Sequence, residues 1–116
     1  MPHIRSVIMN TEDSDRLVTF WRALLGVGIL KIDETLGVTW LQPDQDDGVT
    51  IGIQQVASRG STSPSLHLDI AVDDRDATKE RVLALGGKLV AEHEAAGINW
   101  YIMADPEDNH FCIYCE

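Results

Sequence analysis

The sequence contains the same succession of elements twice, the second copy 61 residues after the first. In each copy a short apolar run ends in acidic residues, and a helical pattern then ends at Leu-Xaa-Gly. With this offset Asp13 corresponds to Asp74, and Gly26 corresponds to Gly87. A duplication constrains the fold strongly, because two copies of one supersecondary unit are expected to pack side by side and build a shared cleft.

Hydrophobic periodicity and turn residues predict a βαβββ order in each copy. The first copy is predicted to contain a strand at 4–10, a helix that ends at Gly26, and strands at 27–32, 38–41 and 50–56. The second is predicted to contain a strand at 66–72, a helix at 74–85, and strands at 88–94, 99–103 and 110–115. We therefore expect an α+β fold, a curved mixed sheet forming a cup with both helices on its convex side.

The duplication also predicts how the domain is organised. Residues 1–57 form module one, residues 66–116 form module two, and the Ser-rich stretch 58–65 is interpreted as the linker between them. A chain of 116 residues is long enough for a single domain with one hydrophobic core.

Charge and hydropathy exclude several classes of partner. The formal net charge is −10, and nucleic acids and anionic membranes both require a basic face, so neither is expected as a partner. No apolar run approaches the ~20 residues of a membrane span, and no charged-then-apolar leader opens the sequence. We expect a cytoplasmic protein that binds a small molecule.

Two cysteines, Cys112 and Cys115, have the spacing of a redox or zinc motif. They fall on the predicted last strand, where three residues span roughly 10 Å and send the side chains to opposite faces. A disulfide requires Cα atoms closer than about 7 Å. We therefore expect two separate thiols in a reducing compartment.

Three motifs resemble those of one family. They are Phe20-Trp21 before Leu25-Gly26, His67-Leu68-Asp69 before Asp73-Asp74, and Asp105-Pro106-Glu107-Asp108-Asn109 before the last strand. Together with the duplicated βαβββ order, they resemble the vicinal oxygen chelate superfamily of glyoxalase I, bleomycin-resistance proteins and extradiol dioxygenases. The resemblance covers nearly the whole chain and is closest to the compact glyoxalase-like branch. It implies a homodimer, because many relatives pair modules across chains.

The resemblance also implies where a divalent metal would bind. In the superfamily four side chains from the first and last strands of the two modules hold the ion, and they are drawn from His, Glu and Gln. The corresponding residues here are Ser6, Gln54, His67 and Cys112. One imidazole and one amide without a carboxylate are a weak set, so we expect no catalytic metal and no cofactor. If a metal such as zinc is bound, His67, Gln54 and Cys112 are its expected ligands, with Asp69 as an alternative.

The leading hypothesis is a glyoxalase-like protein that binds a small, largely apolar or aromatic molecule in the cup without a catalytic metal. The residues expected to line this pocket are Trp40, Gln54, His67, Asp69, Trp100, Cys112 and Tyr114. His67 is the expected polar anchor and, with Asp69, the best candidate for acid–base catalysis. Trp40 and Trp100 occupy matching strands, where they either stack on a flat ligand or serve only in packing.

Two other functions remain open at this point. One is a metal-dependent lyase, isomerase or dioxygenase of the vicinal oxygen chelate type, in which the ion polarises a chelating substrate. The other is a structural partner domain with no ligand. The sequence does not decide whether the protein is an enzyme.

Overall fold

The computed structural model describes residues 2–57, 66–95 and 97–115. The βαβββ order predicted for each copy is confirmed, and so is the α+β class. The elements are β1 (His3–Thr11), α1 (Ser14–Leu25), β2 (Ile29–Asp33), β3 (Val38–Leu41), β4 (Thr50–Gln55), β5 (Leu66–Val72), α2 (Arg75–Ala84), β6 (Lys88–Ala95), β7 (Ile98–Ala104) and β8 (His110–Cys115). The predicted linker at 58–65 lies outside the described residues. Neither helix is long and apolar enough to cross a bilayer, a statement that covers the described residues only.

The described residues group into two compact units. Those between 6 and 66 form the first unit, and those from 67 onward form the second unit together with residues 2–5. In the first unit the strand order is β2-β3-β4-β1, and in the second it is β5-β8-β7-β6. Each unit has one parallel pair, β1 with β4 and β5 with β8, and its other pairs are antiparallel.

Both helices begin in the same way, as the duplication predicts. The Asp13 carboxylate accepts a hydrogen bond from the backbone N–H of Arg16 at 3.2 Å. At the corresponding position in the second unit, the Asp74 carboxylate accepts one from the backbone N–H of Ala77 at 3.0 Å. Each aspartate satisfies a helix N–H that has no intrahelical partner and places negative charge at the positive end of the helix dipole.

The side chain of Gln55 fixes α1 on one face of the first unit's sheet. Its Oε1 accepts a hydrogen bond from the backbone N–H of Ser14 at 2.9 Å, and its Nε2 donates to the carbonyl of Glu12 at 2.8 Å. Ile53, two residues earlier on the same face, is fully buried. Because side chains alternate along a strand, Gly52 and Gln54 lie on the face away from α1.

On that second face of the first unit, Gly52 allows two large side chains to pack. It lies between Ile8 of β1 and Trp40 of β3 in the ladder. A Cβ at this position would lie 2.7 Å from Ile8 Cδ1 and 2.8 Å from Trp40 Cζ3, closer than carbon atoms approach. The indole of Trp40 therefore occupies the space that the side chain of any residue other than glycine at position 52 would need.

The core of the second unit lies between its sheet and α2, which contacts β6, β7 and β8. The buried residues that form it are Val72, Tyr101, Met103 and Ile113. Partly buried apolar side chains complete it, namely Ile70, Val82 and Phe111. Burial of such side chains is the main favourable contribution to folding of this unit.

Tyr101 connects this core to the first turn of α2. Its hydroxyl donates a hydrogen bond to Asp76 Oδ1 at 2.5 Å. The Arg75 guanidinium lies 4.4 Å from the ring centroid, and Lys79 Nζ lies 5.1 Å from it. The hydrogen bond from Tyr101 lowers the pKa of Asp76, and the same bond raises the pKa of Tyr101.

We predict that Tyr101→Phe will raise the pKa of Asp76 toward its ordinary value of 3.8. A carboxylate with a lowered folded-state pKa stabilises the protein above its unfolded pKa, and this contribution is lost as pH falls through the folded value. Between the unfolded and the folded pKa of Asp76, the variant should therefore lose less stability on acidification than the wild type does. NMR titration of the Asp76 carboxyl and urea unfolding at a series of pH values measure both effects.

Tyr114→Phe is the matched control, because Tyr114 lies on the opposite face of the same sheet. It should leave the pKa of Asp76 unchanged. If Asp76 has the same pKa in the wild type and in Tyr101→Phe, the hydrogen bond from Tyr101 is not formed when the protein is in solution.

Candidate functional site

Five of the predicted site residues share the face of the second unit's sheet that points away from α2. Ile70, Tyr101 and Ile113 belong to the core on the helix side. Alternation along β5, β7 and β8 therefore places their sequence neighbours on the other face. The predicted residues on this face are His67, Asp69, Trp100, Cys112 and Tyr114.

Three of these side chains converge, and we call His67, Asp69 and Cys112 the donor cluster. One ligand atom from each lies within 4.8 Å of the other two. His67 Nε2 is 3.5 Å from Asp69 Oδ1, and the two side chains are 18% and 20% exposed. Asp69 and Cys112 are direct partners in the parallel β5–β8 ladder, which explains why a residue from each strand meets here.

The donor cluster keeps its thiol protonated. Burial, together with the negative charge of Asp69 and the hydrogen bond between the two side chains, raises the pKa of Cys112 to about 12. Only the thiolate is a strong nucleophile, so Cys112 is unreactive at neutral pH. The predicted absence of a disulfide is confirmed, since both cysteines are free.

Next to the donor cluster lies a second group, His93, Trp100 and Tyr114, which we call the aromatic row. The rings of His93 and Trp100 are stacked, with centroids 5.7 Å apart and an interplanar angle of 19°. Trp100 is the ladder partner of Tyr114 on β8. His93 is a site residue that was not predicted from the sequence. In the β6–β7 hairpin Ala95 pairs with Ile98, and counting two residues outward along each strand places His93 opposite Trp100.

The remaining predicted residues belong to the first unit. Gln54 Nε2 donates a hydrogen bond to the carbonyl of Leu36 at 2.9 Å, so its amide supports the turn between β2 and β3. Trp40 is half-buried against Gly52. Ser6, the weak candidate ligand, is buried at 4% exposure. Trp40 and Gln54 share the face of their sheet that points away from α1.

The family model of the glyoxalase-like domain matches residues 6–114. The chain belongs to the glyoxalase-like domain family. The superfamily inferred from the motifs, the vicinal oxygen chelate superfamily, is thereby confirmed. No curated protein matches the sequence.

Solved structures show the same fold for this glyoxalase-like protein. A hypothetical protein from Bacillus halodurans C-125 superimposes with a TM-score of 0.76 at 12% identity, covering 99% of this chain and 94% of that one. A glyoxalase/bleomycin resistance protein/dioxygenase superfamily member from Vibrio splendidus 12B01 gives 0.70 at 15%, covering 100% of both. Methylmalonyl-CoA epimerase from Mycobacterium tuberculosis gives 0.69 at 16%, covering 96% and 85%. At these identities the likeness concerns the fold alone.

The donor cluster suits a divalent metal better than the four positions inferred from the superfamily. It offers an imidazole nitrogen, a carboxylate oxygen and a thiol sulfur, a donor set that zinc accepts. Tetrahedral zinc with bonds of about 2.0–2.3 Å requires donor atoms roughly 3.3–3.8 Å apart. Side-chain adjustments of about 1 Å would bring the cluster to that geometry. Asp69 supplies the carboxylate that the inferred set lacks.

We predict that iodoacetamide at neutral pH will alkylate Cys115 and leave Cys112 largely unmodified. Cys115 is exposed. For Cys112 a pKa of about 12 in place of 9.0 lowers the thiolate fraction about a thousandfold. Asp69→Asn should increase the alkylation rate of Cys112, because it removes the neighbouring negative charge. Peptide mass spectrometry over time measures both rates.

Asp44→Asn, which removes a carboxylate from a loop of the first unit, is the control and should change neither rate. Equal alkylation of Cys112 and Cys115 in the folded wild type would contradict the buried, protonated state of the thiol.

Proposed function

We propose that this glyoxalase-like protein binds a small, largely apolar or aromatic molecule on the sheet face that carries the donor cluster and the aromatic row, without a catalytic metal. The observation that supports it best is the adjacency of the two groups, since Cys112 and Tyr114 are two residues apart on β8. Small-molecule sites generally combine an aromatic or apolar surface with a few convergent polar groups. This face offers both.

The aromatic row sets the class of ligand. Its three members lie on neighbouring strands, which are about 4.8 Å apart, so the row is roughly 10 Å wide. Trp100 is half-buried in the centre of the row, and its indole is already held by the stacked ring of His93. A planar molecule of one or two rings matches that width and gains from offset or edge-to-face contact with the indole.

The donor cluster supplies the polar end of the site. The Cys112 thiol donates a hydrogen bond to the Asp69 carboxylate, and His67 lies beside the same carboxylate. The three side chains thus provide polar partners for one another, which supports an arrangement that is stable without a bound metal ion. His67 is the proposed anchor, since its imidazole can exchange a hydrogen bond with a hydroxyl or carbonyl of the ligand.

The free cysteines and the net charge support a cytoplasmic location. Two free cysteines within one domain are typical of a reducing environment. The net charge of −10 makes nucleic acid an unsuitable partner. We therefore place this small-molecule binding in the cytoplasm as part of the proposal.

The second candidate function is a metal-dependent lyase, isomerase or dioxygenase, and the spacing of the donor cluster favours it. His67, Asp69 and Cys112 would hold the ion. When bound, the ion would polarise the oxygen atoms of a chelating substrate. Without it, His67 and Asp69 retain the groups needed to move a proton at the imidazole.

We predict that a thermal-shift screen of one- and two-ring aromatic metabolites will find stabilising ligands. A ligand at a hundred times its Kd adds about 2.7 kcal/mol to the free energy of unfolding, or roughly 10 °C in Tm for a domain of this size. His67→Ala and Trp100→Ala should each abolish most of the shift, because they remove the anchor and the stacking surface.

His3→Ala and Phe20→Ala are matched controls for these substitutions, since His3 and Phe20 are exposed and lie outside the site. Both variants should retain the full shift. A broad panel that stabilises nothing would refute the binding proposal and favour a structural partner domain.

We predict that protein purified without chelator or added metal contains no stoichiometric divalent ion. Elemental analysis of the wild type, Cys112→Ser and Cys115→Ser tests this directly. One zinc per chain that is lost in Cys112→Ser and kept in Cys115→Ser would overturn the metal-free proposal and favour the second candidate.

A further inference from the structure

Charge is distributed unevenly between the two faces of the second unit's sheet. Among the described residues of β5, β6, β7 and β8, the charged side chains are Asp69, Lys88, Glu92 and Glu94. Glu92 is the ladder partner of Tyr101, and Glu94 is that of Asn99, so both glutamates lie on the side of α2. Among these residues, Asp69 is therefore the carboxylate on the opposite face, which carries the donor cluster and the aromatic row.

Lys88 is the one lysine or arginine in the described part of these four strands, and it does not balance the charge of Asp69. Its Nζ lies 2.5 Å from Asp108 Oδ1. Its ladder partner is Ala104, which is four residues beyond Trp100 on β7, or roughly 13 Å along the strand. A ligand that carries a carboxylate or a phosphate would thus meet the negative charge of Asp69 without a compensating cation from these strands.

The carboxylate of Asp69 retains capacity to accept hydrogen bonds. An ionised carboxylate has about four lone-pair sites, and the Cys112 thiol donates to one of them. His67 Nε2 is 3.5 Å from Asp69 Oδ1, beyond the about 2.7–3.2 Å that is usual for an N–H···O hydrogen bond. A partly buried carboxylate in this state is stabilised by an ammonium group, which brings a positive charge and three hydrogen-bond donors.

The distance between Asp69 and Trp100 sets the length of a ligand that contacts both. Asp69 pairs with Cys112, and Cys112 pairs with Ile102 on β7, two residues from Trp100. Two strand spacings of about 4.8 Å and two residues of about 3.4 Å give a diagonal of roughly 12 Å between the two Cα atoms. Side chains stand roughly perpendicular to a sheet, so the two side chains are separated by a similar distance.

Most of this distance is taken up by the two contacts themselves. An N–H···O contact of about 2.8 Å at the carboxylate and an offset ring contact of about 4.5 Å at the indole leave roughly 5 Å for the ligand. With bonds of about 1.5 Å, roughly 5 Å is also the distance from the ring centre to the nitrogen in an aromatic amine with a two-carbon linker.

We infer that the ligand of this face is an aromatic amine, with its ring against Trp100, its protonated nitrogen at Asp69, and about two carbons between them. The inference rests on the proposed function, since it names the class of molecule bound on the same face. Asp69 is then the residue that determines specificity. It adds a requirement for positive charge to the hydrogen bond proposed for His67.

Isothermal titration calorimetry with three matched compounds tests the inference, in buffer with EDTA to keep the donor cluster free of metal. The compounds are 2-phenylethylamine, 2-phenylethanol and 3-phenylpropionate, which share the ring and the two-carbon linker and differ in charge. The amine is protonated at neutral pH, as lysine is. It should bind the wild type about tenfold or more tightly than the alcohol, because hydrogen bonds between ionised groups are the stronger ones. The carboxylate should bind most weakly, because Asp69 repels it.

Asp69→Asn keeps the size of the side chain and removes its charge, so the ratio of amine affinity to alcohol affinity should fall toward one. Glu94→Gln is the matched control, because it removes the same charge from β6 on the opposite face, and it should keep the wild-type ratio. The comparison of the three compounds in the wild type does not depend on the folding of either variant.

Equal affinity for the amine and the alcohol, or tightest binding of 3-phenylpropionate, would overturn the inference and leave the proposed function intact. A preference for the amine that persists in Asp69→Asn would also overturn it, since the charge responsible would then lie elsewhere. If none of the three compounds binds while the broad aromatic panel contains a ligand, the amine class is wrong. If the panel also yields none, the proposed function fails together with the inference.

Discussion

Register between β5 and β8 is the constraint on which the candidate site depends. Ile70 and Ile113 are ladder partners and face the core under α2. Their burial fixes the pairing, because a slip of one residue would move every side chain of the strand to the other face. With this register Asp69 must lie opposite Cys112. The apolar core on one side of the sheet thus positions the polar groups on the other.

A single carboxylate then determines the chemistry of that face. Asp69 contacts both His67 and Cys112, and its charge helps to keep the thiol protonated. The same proximity makes the three groups a plausible metal-binding set, because a bound cation would remove the thiol proton that Asp69 now favours. The metal-free and metal-bound alternatives therefore use the same residues. They differ in whether binding an ion outweighs the free energy of deprotonating a buried thiol.

Features of this structure that depend on neighbouring residues can be predicted from the sequence, whereas those that depend on residues far apart in the chain cannot. Asp13 and Asp74 correspond in the duplicated pattern and each caps a helix, because helix capping and strand alternation are decided by residues close together in the sequence. The contact between Asp69 and Cys112 depends on pairing strands 43 residues apart. Strand alternation therefore predicted only that Asp69 and His67 share a face, and the resemblance to the superfamily was needed to place Cys112 in the same site. The hydrogen bond from Gln54 to the carbonyl of Leu36 depends on the path of a turn, which residue types alone do not specify.

Comparison of the two copies distinguishes features that the fold requires from features that differ between the copies. Helix caps occur in both units because an α-helix always leaves unpaired N–H groups at its start. A cross-strand aromatic stack is described on β6 and β7, where His93 covers Trp100, whereas the counterpart of His93 in the first unit is Ile32 on an exposed edge. The fold tolerates either residue at that position.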